Sequence, residues 1–202
     1  MITLPIAEGL TCFRGLSPKR SRFELEYALE RGSTANSFLF AAGPDTAEVT
    51  QPAVLVHPPG AAYASVFLPV LQQALPDPAS KLVVVVGHVN PNRVALLRDL
   101  VSAYSGLELV ASNAGAKLLR ELWSLRRPQA PGDESPQPPL PDLPEIKIIR
   151  QEQTLPVSHG HQLHVLPTPT PRWPGGLLAF EETPGSLMSD KRFSAQIRRY
   201  EL

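Results

Sequence analysis

The chain has 202 residues and one cysteine, Cys12. An internal disulfide and a cysteine-based metal cluster are therefore excluded, which suits a reducing compartment. No apolar run approaches the roughly 20 residues of a membrane span. Lys plus Arg and Asp plus Glu both number 19, so the formal net charge is zero. Neither nucleic acid nor an anionic membrane surface is favoured by such a balance. Residues 1–14 lack the blocks of a secretory signal, and a cytoplasmic location is expected. No internal repeat is visible.

Proline, by contrast, is abundant: 23 residues. Seven of them fall in 128–144, interleaved with Gly132, Asp133, Glu134 and Ser135. This stretch cannot join a core and reads as an exposed, polyproline-II-like surface loop. The hydrophobic share, 43%, is ample for a core elsewhere.

The pattern predicts strands first, then alternating helices and strands, then strands again. Phe23, Leu25 and Tyr27 alternate with charged residues, as in a half-buried strand. A turn is expected at 30–33, a returning strand at 37–40, another turn at Gly43-Pro44-Asp45, and a short strand at 53–56. Residues 63–75 have helical spacing. Residues 82–86 are apolar on both faces, as in a strand buried between two layers. Helical spacing returns from Val94 to Val101, then a strand at 107–110. Ser112 is placed to cap a helix whose Leu118, Leu119, Leu122 and Trp123 form one face. Strands are expected at 146–149, 163–166, 177–180 and 187–188, the last two joined by a Thr183-Pro184-Gly185-Ser186 hairpin. Residues 1–21 are read as an irregular N-terminal segment, 22–193 as the domain, and 194–202 as a divergent tail. Two sheets flanked by helices accommodate this order.

The candidate site follows the apolar strand, at Gly87-His88-Val89-Asn90-Pro91-Asn92-Arg93. Polar side chains at alternate positions after a strand end are the layout of a dinuclear metal site. Later strand boundaries offer Arg172, in Pro171-Arg172-Trp173-Pro174, and Asp190, in Met188-Ser189-Asp190.

Together with Asn36-Ser37-Phe38-Leu39, Ser112-Asn113-Ala114 and Gly160-His161-Gln162-Leu163, these motifs share an order and spacing. On them the chain resembles the metallo-β-lactamase-like domain of flavodiiron proteins, most closely the cyanobacterial diflavin flavoproteins. The resemblance implies an αββα sandwich, C-terminally incomplete, since family members continue beyond the Asp. It implies a non-haem di-iron site for O₂ or NO reduction, an FMN domain and, in the diflavin type, a flavin reductase domain. It also implies head-to-tail dimers in which the flavin of one chain faces the metal site of the other. No phosphate loop for FMN occurs in this sequence.

Carried over by position, His88 and Asp190 match family ligands. Asn90, Asn92, Arg93 and Arg172 stand where the family has Glu, Asp, His and His. An amide binds iron weakly and a guanidinium cannot ligate it. The expectation is a degenerate site, filled by Arg93 and Arg172 pairing with Asp190, with His88 hydrogen-bonded nearby. The chain is then the N-terminal domain of a protein linked to flavin-dependent O₂ reduction, without its own di-iron centre. The alternatives are a non-catalytic module pairing with an active paralogue, as a homo- or hetero-dimer, or the remnant of a truncated gene. A hydrolase is disfavoured, because its metal-bound water needs the same ligands.

Three other features read as structural. His159, His161 and His164 flank a turn at Gly160, with His161 and His164 on opposite faces. His57 ends a strand near the site, as a satisfied loop residue or a substitute ligand. Arg172 beside Trp173 suits a cation–π pair.

Overall fold

A computed structural model describes residues 1–17, 22–23, 27–28, 33–46, 49–126 and 136–190. In chain order its strands are β1 (Ile2–Ala7), β2 (Leu10–Ser17), β3 (Arg22–Phe23), β4 (Tyr27–Ala28), β5 (Ser33–Phe40), β6 (Gly43–Thr46), β7 (Val49–Gln51) and β8 (Ala53–Val56). Helix α1 (Ala64–Ala74), β9 (Lys81–Val85), α2 (Pro91–Ala103), β10 (Gly106–Ser112) and α3 (Asn113–Trp123) follow. The chain then forms β11 (Ile146–Ile149), β12 (Gln153–Leu155), β13 (Leu163–Pro167), β14 (Leu177–Glu181) and β15 (Ser186–Met188).

Seven strands form one sheet in the order β1-β2-β5-β8-β9-β10-β11, and four form a second, β12-β13-β14-β15. The first sheet is antiparallel from β1 to β8 and parallel from β8 to β11. The second is antiparallel throughout.

Alternation along β9 explains the layering. Leu82 and Val84 face a core shared with Phe67 and Leu71 of α1, Leu96 and Leu100 of α2, and Leu119 and Trp123 of α3. Val85 faces the other way, into a core with Val56 and Val110 of its own sheet and Leu163, Val165, Leu177, Ala179 and Met188 of the second. A strand buried on both faces has no room for polar side chains, which is why this one reads as a continuous apolar run. On the second sheet's outer face, Leu166, Phe180 and Leu187 are exposed.

Several expectations are corrected. The segment read as irregular over 1–21 carries β1 and β2, and β2 pairs with β5 along its full length. Pro5 and the register shift beside it hid the strand pattern in β1. The single strand expected across Phe23 to Tyr27 is instead an antiparallel pair of short strands, β3 and β4. Gly43-Pro44-Asp45 lies in β6 rather than a turn. Residues 91–93 belong to the first turn of α2 and not to a loop, because Asn90 caps the helix and Pro91 takes its first position. The turn at 30–33 falls almost wholly outside the described residues. So do residues 128–135 of the proline-rich stretch and the tail 194–202. The rest of that stretch, 136–144, has no regular secondary structure, as expected.

Candidate functional site

The parallel strands β8 and β9 end side by side, with Val56 opposite Val85. Their next residues therefore emerge together, His57 from one and the 86–90 turn from the other. Strand β15 of the second sheet ends at Met188 and delivers Asp190 to the same point. His57 and Asp190 both adopt left-handed backbone conformations, with φ of 56° and 50°. Non-glycine residues are uncommon there.

Arg93 reaches from the first turn of α2 and binds Asp190 through both carboxylate oxygens. Its Nη1 contacts Oδ2, and its Nη2 donates to Oδ1 at 3.1 Å. The two side chains are 7% and 10% exposed. Nη1 of Arg93 also donates to the His88 carbonyl at 3.1 Å. Asn90 is used twice. Its Oδ1 accepts from the Arg93 backbone N–H at 2.8 Å, capping α2, and its amide nitrogen lies 3.1 Å from Nε2 of His88. An amide NH₂ is only a donor, so Nε2 of His88 is the acceptor. The His88 ring meets Trp173 edge-on, at 4.4 Å between centroids.

His57 is 1% exposed. Its Nε2–H donates to the Met188 carbonyl at 2.8 Å, while Nδ1 is buried with no partner. Gly87 makes room for it: a Cβ there would lie 2.3 Å from the imidazole. Burial pushes the His57 pKa below its ordinary value and Arg93 adds to this, outweighing Asp190 and the Met188 carbonyl, which act to raise it. Burial acts to raise the Asp190 carboxyl, but the Arg93 guanidinium, with His57 and His88, holds it well below the usual carboxylate range. A cavity of about 20 Å³ touches Asp190, His88 and Trp173, room for roughly one water.

The structure thus gathers His88, Asn90, Arg93 and Asp190. It does not gather the other two substituted positions. Asn92 is exposed on the first turn of α2. Arg172 is exposed too, with its guanidinium 5.5 Å over the Trp173 ring. The expected pairing of Asp190 with both arginines is therefore corrected: Arg93 makes it, and Arg172 stacks outward. Hydrogen bonds between Thr170 and Trp173, in both directions at 3.1 Å, close a turn that carries residue 172 to the surface. His57 belongs to the same buried site, which its residue type alone does not announce. Its place at the end of a strand parallel to β9 was the available signal.

The histidine-rich turn divides as expected. His161 is buried between Glu181, 3.0 Å from its Nδ1, and the Glu8 carbonyl, 2.7 Å from Nε2. His164 lies on the other side of β13, beside Glu152 and Glu182. Among the described residues, no group of three or more His, Cys, Asp or Glu side chains is arranged to hold a metal ion. No described helix is long and apolar enough to cross a membrane.

No family model matches the chain. Over 194 residues it is 36% identical to diflavin flavoprotein A 6 of Nostoc sp. strain PCC 7120, covering 96% of this chain and 30% of that protein. Diflavin flavoprotein A 3 of Synechocystis sp. is 33% identical over 193 residues, with 96% and 28% covered. A metal-soaked flavodiiron core from Synechocystis sp. PCC6803 matches with a TM-score of 0.79 and 32% identity, over 99% of this chain and 44% of that one. A crystallised fragment, 1–254, of diflavin flavoprotein A 5 from Nostoc sp. gives 0.76 and 30%, over 99% and 69%. The chain spans about 30% of the length of the curated relatives it matches.

Proposed function

Since the chain belongs to the flavodiiron family of diflavin flavoproteins, we propose that it is the N-terminal, metallo-β-lactamase-like module of such a protein. It serves flavin-linked O₂ reduction without a di-iron centre of its own. The observation that carries this reading is the buried Arg93–Asp190 pair.

A two-metal site needs several anionic or imidazole donors to offset the metal charge. Here both oxygens of Asp190 are engaged by a guanidinium, which stays protonated and has no lone pair to give. The Nε2 lone pair of His88 is engaged by Asn90, and Asn90 itself caps a helix. Arg172 faces outward over Trp173. These residues do not fit a di-iron centre, and a cation beside Asp190 would meet the Arg93 charge in a buried site. The pair instead keeps the strand ends together, since a buried charge must be paired. On this reading the reducing chemistry lies with a partner, a flavodiiron paralogue with an intact centre, joined to this chain as a hetero-dimer.

Metal analysis tests it. The chain is purified from iron- and zinc-supplemented medium beside a His88→Ala, Asp190→Ala double variant. Substoichiometric metal, equal in both proteins, is expected. About two irons per chain that disappear in the double variant would restore a di-iron site and overturn the reading.

A further inference from the structure

The two sheets are covered unequally. Helices α1, α2 and α3 all pack into the core on one face of the first sheet. The second sheet turns one face to the core between the sheets and leaves an apolar band on the other. Leu166 pairs with Leu178 across β13 and β14, and Phe180 with Leu187 across β14 and β15. Paired side chains share a face, as do residues two apart on a strand, so the four form one band across three strands. Leu178 is half-buried, and Leu166, Phe180 and Leu187 are exposed. Beside the band, His164 pairs with Phe180 and lies 3.5 Å from Glu152 and 3.0 Å from Glu182. Strands β12 to β15 contain no Lys or Arg. Such a face calls for an apolar cover with basic edges.

We propose that residues 191–202 of this chain are that cover, docking on the outer face of β13, β14 and β15 as an amphipathic helix. Their sequence has the matching pattern. Phe193, Ile197 and Tyr200 recur at the i, i+4, i+7 spacing of one helical face, and Lys191, Arg192, Arg198 and Arg199 fall outside it. From Phe193 to Tyr200 such a helix rises about 10 Å. Two strand spacings, from β15 to β13, are also about 10 Å. The three apolar side chains therefore match Leu187, Phe180 and Leu166 in span. The connection is short, because the segment leaves directly after β15, which carries Leu187. A short tether also gives it an effective concentration of roughly millimolar, an advantage over any free partner. A second copy offering the same face would bring two acidic rims together, which like charges oppose. The inference does not depend on the metal question, because neither Arg93 nor Asp190 belongs to the band.

The test places a nitroxide on Ser194→Cys in a Cys12→Ala background of the whole chain and reads the broadening of leucine methyl resonances. Those of Leu166, Leu178 and Leu187 should be broadened. Those of Leu96 and Leu100, in the core beyond the first sheet, should not. Diluting the isotope- and spin-labelled chain into an excess of unlabelled chain should leave the broadening intact. Its loss on dilution would assign the contact to a second copy and overturn the proposal. Phe193→Asp combined with Ile197→Asp should abolish the broadening in a chain that thermal melts show to be folded. Broadening absent from the folded parent, or surviving in that variant, would equally overturn it.

Discussion

Arg93 and Asp190 are each other's answer to burial. Ninety-seven positions apart in the chain, they meet because β9 and β15 end at one point. Removing one partner leaves the other charge buried and uncompensated, which costs about 3–5 kcal/mol. Arg93→Met and Asp190→Ala should each destabilise the fold by that amount in urea unfolding. The double variant should cost clearly less than their sum, since residues in one ion pair are not additive. Simple additivity would mean that the two do not interact in solution. Of this site, the identities of His88, Asn90, Arg93 and Asp190 were legible from spacing and residue type. The outward turn of Arg172 was not, because it depends on a hydrogen-bonded turn that no motif announces.

Besides sharing a core, helices α2 and α3 are tied together by the side chain of Arg98. Nη2 of Arg98 donates to the carbonyls of Leu122 and Leu125, each at 2.8 Å, and to that of Trp123. These lie at the C-terminal end of α3, where backbone carbonyls have no helical partner. The guanidinium also sits 5.7 Å over the Trp123 ring, whose Nε1–H donates to the Pro141 carbonyl at 2.8 Å. Arg98→Ala should therefore cost roughly 2–4 kcal/mol, and Arg98→Lys should recover only part, because an ammonium cannot reproduce the planar fork. Urea midpoints of the three proteins decide it; a loss under about 1 kcal/mol for Arg98→Ala, the value of an ordinary exposed contact, would count against this role. At this scale legibility followed periodicity. Helices α1 and α3 and strands β9, β10, β13 and β14 have apolar residues at regular spacing and one or two buried faces, so pattern found them. Strand β12 is three residues long, too short to show a period. Strand β2 interrupts its apolar residues with Arg14 and Gly15, and is defined by pairing with β5 rather than by its own sequence.

Among the described residues, two cores share one sheet, and the polar site lies where the ends of both sheets converge. That placement links global stability to two buried ionisable groups. His57 is neutral in the fold, with its pKa below the ordinary value. The unfolded chain takes up a proton on this side chain below about pH 6.5 while the folded chain resists, so acid favours unfolding from that point downward. The Asp190 pKa lies well below the usual carboxylate range in the fold. The stability it contributes is fully present above the unfolded value of about 3.9, and is lost as pH falls below it, when the unfolded chain protonates first. Both groups act in the same direction, so stability should decline in two steps, one starting near pH 6.5 and the other near pH 4. Urea midpoints measured from pH 8 to pH 3 report both steps. Arg93→Met should abolish the lower one, because without the guanidinium burial raises the Asp190 carboxyl instead of lowering it. His57→Gln should flatten the upper one whatever its own cost in stability. A midpoint unchanged between pH 8 and pH 5 in the parent chain would mean that the buried imidazole accepts its proton within the fold, and that the charge balance around Asp190 includes a second cation.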